Sequence, residues 1–269
     1  MSFGFPLPGR SASGFGNTPL GGVPAAITGL DFPGNYPNGP FDGIRFRFTG
    51  AALLPRYPAT YIWRCWPRSG HEGYWTAFFW GGDDDSGSLS ALQDPYYGFH
   101  PYPPGGATGT GPFKWEISVN HNDYQSSGDV VEGAWYQQVA RVYEDTSGGT
   151  PGPKVHEYYW NWPNQSTDVV TRTEASTYGN SAPANPALTF GDAPWNPGNE
   201  IWDGYLRGFQ IYDALLTPAE ITSEISTPGS VRTPWYLNLN PTPSDISDKS
   251  GNGHDPAWVN TNRPALWEG

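Results

Sequence analysis

The chain of 269 residues carries 35 Gly and 29 Pro, which excludes a long-helix bundle, because each costs a helix interior roughly 1 and 3 kcal/mol respectively. Its 13 Trp, 16 Tyr and 13 Phe equally exclude a disordered chain and leave an all-β protein with short strands and many loops. A net charge of −12, with Lys114, Lys154 and Lys249 the only lysines, argues against nucleic acid and anionic membrane surfaces as partners.

Residues 1–42 are rich in Gly, Pro, Ser and Asn and read as an extended N-terminal arm, held by its own domain or by a neighbouring subunit. The opening MSFGFPLPGRSASGFGNTPLGG lacks a basic start followed by an unbroken apolar core, so synthesis is expected in the cytosol without classical export. No run of eighteen apolar residues is available to span a membrane. Residues 43–269 read as one domain. In residues 44–50, Ile44, Phe46 and Phe48 alternate with Arg45, Arg47 and Thr49, as in a strand with one wet face. TYIWRCW (60–66) and GYWTAFFW (73–80) read as strands in the body of a sheet. Cys65, the single cysteine, excludes an intrachain disulfide or a multi-cysteine metal site and reads as a small buried hydrophobe.

GGDDDSGS (81–88) reads as a turn and acidic loop, and residues 95–112 as a long irregular excursion of the kind that is functional or clamped by a partner. Strands resume at FKWEISVN (113–120). WYQQVARVYED (135–145) and KVHEYYWNW (154–162), joined by a Gly/Pro turn, form an expected hairpin. Residues 163–199 are polar and broken by ALTFG (187–191), and YLRGFQIYD (205–213) is the last strong strand before a helix. Thr217, Pro218 and Glu220 supply a capping box with proline at the first helical position, and Pro228 and Gly229 end the helix after two or three turns.

In this order WYQQVARVYED, HEYYWNW, LTFGD and DGYLRGFQIYDALLTPAEI resemble the laminin-G-like jelly-roll family of the concanavalin A-like lectin and glucanase superfamily. The closing segment carries most of the resemblance, through Gly204, Leu206, Phe209, Ile211, Tyr212, Leu215, Thr217, Glu220 and Ile221, and the match spans roughly residues 44–226. It implies a two-sheet antiparallel jelly-roll sandwich with one short helix, to which the N-terminal arm is added. Gly208 and Gln210 stand where the family often has an acidic residue, which weakens a calcium role there. Residues 235–258 look like the family's opening element moved to the C-terminus, so 235–269 is expected to close the sandwich beside the first strand, a truncated second repeat being the alternative.

Glycoside hydrolysis needs two carboxylates across one sugar bond. Hydrolases of the resembled superfamily set acids along one strand face, whereas here Glu116 is followed by Ser118 and Asn120. A lyase would need groups such as His121, Asn122 and Tyr124, with Arg45, Arg47, Arg64 or Arg68 neutralising a uronate, but His121 reads as a solvated histidine in an Asn/Asp-rich turn. His71, His100, His156 and His254 are scattered and make no zinc pattern. Hard oxygen donors gather at Asp83, Asp84 and Asp85 and again at Asp245, Asp248, Asn252 and Asp255; calcium is the metal they suit, although Asp and Asn are also ordinary turn residues. Tyr96, Tyr97, Trp160, Trp162, Trp195 and Trp202, near several Asn, are candidate platforms for a sugar ring or, alternatively, packing for loops and subunit contacts.

The reading is a non-enzymatic structural or adhesion protein with no required cofactor. A domain type usually displayed outside cells, without an export signal and with a long arm, points to a phage-like virion component such as a head decoration or tail-fibre protein. The arm would contact self or other virion proteins, and the jelly roll would hold polysaccharide. The alternatives are a free carbohydrate-binding module reaching the exterior by a non-classical route, or a polysaccharide hydrolase or lyase.

Overall fold

The structure, a computed structural model, describes residues 28–33, 46–49, 58–68, 79–83, 97–102, 113–119, 122–149, 154–163, 169–174, 186–191, 202–231, 236–239, 244–253, 255–258 and 265–268. The strands in chain order are β1 (Thr28–Pro33), β2 (Phe46–Thr49), β3 (Ala59–Pro67), β4 (Phe79–Asp83), β5 (Tyr97–Tyr102), β6 (Phe113–Val119) and β7 (Asn122–Val130). They continue with β8 (Tyr136–Glu144), β9 (Lys154–Tyr159), β10 (Val169–Glu174), β11 (Pro186–Phe190) and β12 (Asp203–Tyr212). After the single helix among the described residues, α1 (Pro218–Ser226), come β13 (Tyr236–Leu239), β14 (Ala257–Trp258) and β15 (Ala265–Glu268).

Every pairing is antiparallel. One eight-stranded sheet runs β10-β9-β8-β3-β12-β1-β15, with β13 added to the far half of β12, and a seven-stranded sheet runs β14-β2-β11-β4-β5-β6-β7. The order follows from patterning. On β3, Ala59, Tyr61, Trp63 and Cys65 point into the space between the sheets and are at most 1 % exposed, while Thr60, Ile62, Arg64 and Trp66 take the opposite face. Phe190 of β11 packs edge-on against Phe209 of β12 at 4.4 Å, and Trp115 of β6 against Tyr136 of β8 at 5.0 Å, so rings from both sheets meet across the core. Trp63 lies 6.1 Å from Tyr158 in a near-parallel stack and donates its indole N–H to Gln138 Oε1 at 2.7 Å, which satisfies a buried amide oxygen. Cys65 is fully buried, and desolvation raises its thiol pKa, as expected of a packing residue.

The hairpin of β8 and β9 and the capped helix form as the sequence indicates. Glu220 N–H donates to Thr217 Oγ1 at 3.3 Å while Thr217 N–H donates to Glu220 Oε2 at 2.7 Å. Other expectations are corrected. Thr28–Pro33, assigned to the arm, is an interior strand between β12 and β15, with Leu30 and Phe32 fully buried; the remainder of residues 1–42 lies outside the described residues. Gly81 and Gly82 belong to β4 and pair with Leu188 and Ala187 instead of making a turn, because ladder hydrogen bonds need only backbone. Part of the supposed irregular excursion is β5; Pro101 is tolerated because β4 pairs only as far as Phe99, leaving that side without a ladder partner. The Asn/Asp-rich stretch after residue 121 is strand β7, and the polar region after 163 contains the edge strand β10. The C-terminal segment divides among three strands, of which β15 closes against β1.

Gly204 is fixed by close approach. Its φ is +144°, and a Cβ there would stand 2.0 Å from the Trp66 carbonyl oxygen, opposite Pro67 in the β3–β12 ladder. Replacing Gly204 by Ala is expected to destabilise the fold by about 3 kcal/mol in urea titrations. His156, buried on β9 and 2 % exposed, has its imidazole pKa pushed from 6.5 down to about 3 by desolvation. The folded chain therefore keeps it neutral while the unfolded chain takes up a proton below about pH 6.5. Its contribution is fully present above that pH and is lost as pH falls toward 3, at up to about 1.4 kcal/mol per pH unit. Denaturation between pH 7 and pH 4 is expected to show this slope, and His156→Leu to flatten it.

Candidate functional site

The outer face of the eight-stranded sheet is divided into a covered half and an open half. A one-residue bulge in β12 at Gly208, whose φ of +61° suits glycine, separates Arg207, opposite Arg64, from Gln210, opposite Ile62. In a regular strand, residues three apart such as Arg207 and Gln210 would take opposite faces; across the bulge both project outward while Leu206 and Phe209 enter the core.

Beyond the bulge, α1 covers the sheet. Ile62, Val139, Trp162, Tyr212, Leu216 and Ile221 form an apolar cluster distinct from the inter-sheet core. Glu224, fully buried, fastens the helix: its carboxylate accepts from Tyr212 Oη and Val231 N–H, from Gly229 N–H at 2.7 Å and from Ser230 Oγ at 3.0 Å. Four donors around one carboxylate meet the desolvation cost that would otherwise expel it. Gln210 Nε2 adds a bond to the Glu224 carbonyl at 3.4 Å.

On the open half, register places Asp31, Tyr205 and Trp66 in one row across β1, β12 and β3, and Arg207, Arg64 and Gln137 in the next row across β12, β3 and β8. Tyr205 lies 4.8 Å from Trp66 and 6.2 Å from Trp135, centroid to centroid. The Arg207 guanidinium sits 4.6 Å from the Trp135 ring centre and that of Arg68 5.4 Å from Tyr205, both within cation–π range. Arg68 also pairs with Asp31. Arg64 Nε donates to Gln137 Oε1, and Gln137 Nε2 donates to the Trp63 carbonyl at 2.9 Å, so the amide holds the guanidinium to the sheet. Burial lowers the pKa of both Arg64 and Arg207, the latter to about 10, with the neighbouring charge of Arg64 as the second cause.

Trp135 borders this face and is 38 % exposed, with Val131 nearby in sequence at 63 %. The loop that carries them is pinned, since Gly133 N–H donates to the Pro67 carbonyl and Val131 N–H to Tyr136 Oη, each at 2.7 Å. An exposed indole on a tied loop has lost its ordering entropy before any ligand arrives.

Three of the platforms expected from sequence are buried. Trp160, Trp162 and Trp202 are 3 %, 4 % and 0 % exposed, so none offers a ring face to solvent. Trp160 and Trp202 fill the inter-sheet core, and Trp162 packs in the helix-covered cluster, edge-on to Tyr159 at 5.2 Å. Tyr97 opens β5 opposite Gly81, and Tyr96 and Trp195 lie outside the described residues.

The acidic turn is bonded within itself. Asp245 holds the Lys249 ammonium at 2.5 Å and accepts from Ser247 Oγ at 2.7 Å, bonds that push its carboxyl pKa well below the usual range. Asp248 accepts from Ser250 N–H at 2.9 Å and Ser250 Oγ at 2.6 Å, and the Asn252 N–H donates to Ser250 Oγ at 3.2 Å. Among the described residues no group of three His, Cys, Asp or Glu is arranged to hold a metal ion. Asp245, Asp248 and Asn252, the residues that suit calcium, thus form a turn whose oxygens are bonded within it.

For the hydrolytic and lytic candidates, the register sets His100 and Gln125 on either side of Glu116, Tyr124 opposite Ile117, and Asp123 opposite Ser118. No carboxylate is registered directly against Glu116 on either neighbouring strand. His121 lies outside the described residues.

No family model and no curated protein sequence matches the chain. Solved structures do. The heptameric SAP-like pentraxin of Limulus polyphemus superposes with a TM-score of 0.50 at 16 % identity, over 81 % of this chain and 95 % of that one. That likeness defines the fold class, an all-β antiparallel jelly-roll sandwich with one short helix among the described residues. Tailspike protein 2 of an Escherichia coli O157:H7 bacteriophage matches with a TM-score of 0.40 at 14 % identity, over 76 % of this chain and 27 % of that one. The CBM40 of the Ruminococcus gnavus IT-sialidase gives 0.42 at 11 % identity, over 68 % and 96 %.

Proposed function

We propose that the protein is a non-catalytic adhesion protein whose jelly roll, of the laminin-G-like type, holds polysaccharide on the open half of its eight-stranded sheet. The observation that carries this reading is Trp135, partly exposed on a pinned loop beside Tyr205 and the Arg207 guanidinium, on a face that also carries Trp66, Arg64 and the amide of Gln137. A pyranose has an apolar ring face and a rim of hydroxyls, and this combination of indole, phenol, amide and arginine answers both. Ser118 and Asn120, standing where hydrolases of the resembled superfamily carry acids on the strand face of Glu116, support binding without turnover. The self-bonded turn at Asp245 supports a reading that needs no metal.

The setting we propose is a virion surface, with the Gly/Pro-rich stretch before β1 as the contact to neighbouring chains; an extracellular carbohydrate-binding module is the alternative setting for the same face. Glycan-array screening followed by calorimetry is expected to find a bound polysaccharide whose affinity falls by about tenfold in Trp135→Ala and is unchanged by EDTA. Reducing ends or unsaturated uronates released from a broad polysaccharide panel would overturn the non-catalytic reading. Light scattering is expected to give an oligomer for the full chain and a monomer after removal of residues 1–27. A monomeric full chain would count against the virion setting.

A further inference from the structure

Resting on that reading, we propose that the face takes an internal stretch of a linear polysaccharide laid across the strands from Trp135 to Asp31, with the Asp31 carboxylate accepting from hydroxyls of the sugar farthest from the indole. Register puts Asp31 of β1, Tyr205 of β12 and Trp66 of β3 in one transverse row. Trp135, immediately before β8, carries the row to a fourth strand. At about 4.8 Å between neighbouring strands the row is about 14 Å long, more than one sugar ring can cover.

The direction follows from what closes the face. Along the strands the row is succeeded by Arg64 and Arg207 and then by Ile62 and Gln210, both buried where α1 lies on the sheet. A chain running that way meets the helix, whereas across the strands it passes over the half-buried Tyr205 and Trp66. The two ends of the row differ in chemistry. At one, Trp135 is 38 % exposed on its pinned loop and offers apolar surface to a sugar ring. At the other, the Asp31 side chain is 27 % exposed and its carboxylate is oriented by Arg68, which also donates to the Phe32 carbonyl at 3.4 Å and lies 5.4 Å from the Tyr205 ring centre. The acid is thereby fixed beside the ring row. A carboxylate offers about four acceptor sites, so one guanidinium donor leaves it capacity for neighbouring hydroxyls, the donors a pyranose carries around its rim.

The test titrates the full chain by calorimetry with cello-, laminari-, manno- and galacturono-oligosaccharides from mono- to hexasaccharide and with their parent polymers. In a series that binds, affinity is expected to rise by at least about tenfold between the mono- and the tetrasaccharide and then to level off. Asp31→Ala should weaken the tetrasaccharide by about tenfold more than the disaccharide, which can sit at the Trp135 end alone, and Asp31→Asn, which keeps an oxygen acceptor, should recover part of that difference. Thermal melts check that the variants fold; if Asp31→Ala does not, Asp31→Asn and the length series decide. Equal losses for short and long oligosaccharides would mean that Asp31 acts through Arg68 and Tyr205 and would overturn its role as a hydroxyl acceptor. A monosaccharide bound as tightly as its polymer, or a polymer bound when none of its oligosaccharides is, would overturn the transverse row as the seat of an internal stretch and leave the proposed function standing. No binding to any member of the panel would overturn both.

Discussion

The pairing of β3 with β12 is the constraint on which the rest of the structure depends. These central strands carry core residues on one side and, on the other, both the seat of the helix and the arginine–aromatic face. At one end Gly204 lets the β12 backbone come so close to the Trp66 carbonyl that no side chain fits between them. In the middle, Gly208 inserts the bulge that keeps Arg207 and Gln210 on the same side. Two glycines in one strand thus set a local distance and a local phase, and the composition of both faces follows from them.

The helix-covered half explains why the open half can be as polar as it is. Glu224 draws the turn after α1 onto the sheet through a fully hydrogen-bonded carboxylate, and the apolar residues Ile62, Val139 and Tyr212 are removed from water there. The sheet is left exposing a band of rings and guanidinium groups that stabilise one another through cation–π contacts and the Arg68–Asp31 pair. Such a surface is stable in water and still presents directional donors.

The strand pattern was legible wherever alternation was strong. Tyr61, Trp63 and Cys65 against Arg64 and Trp66 already describe β3, and the capping box at Thr217 marks the start of the helix. Strands with weak side-chain signals, such as β4 with its glycine pair and β7 with its polar run, are held by backbone ladders that hydrophobic period does not report. Three of the expected sugar platforms, Trp160, Trp162 and Trp202, are buried for a related reason. A tryptophan in a polar stretch has the same composition whether it covers a core or faces solvent, and Trp160, Trp162 and Trp202 cover one. Outward placement of Arg64 and Trp66 was available from alternation, but their meeting with Tyr205, Arg207 and Trp135 was not, since it depends on a strand order that brings residues 64 and 207 together.

Strand β1 completes itself only with partners from the far end of the chain: Leu30 lies between Leu206 of β12 and Leu266 of β15. During synthesis, Leu30 and Phe32 emerge from the ribosome long before the segments that will shield them, and the sandwich has no way to shut along that side until its last strand has been made. Contacts this distant in sequence make for slow folding and a long interval in which an unpaired edge is open to other chains.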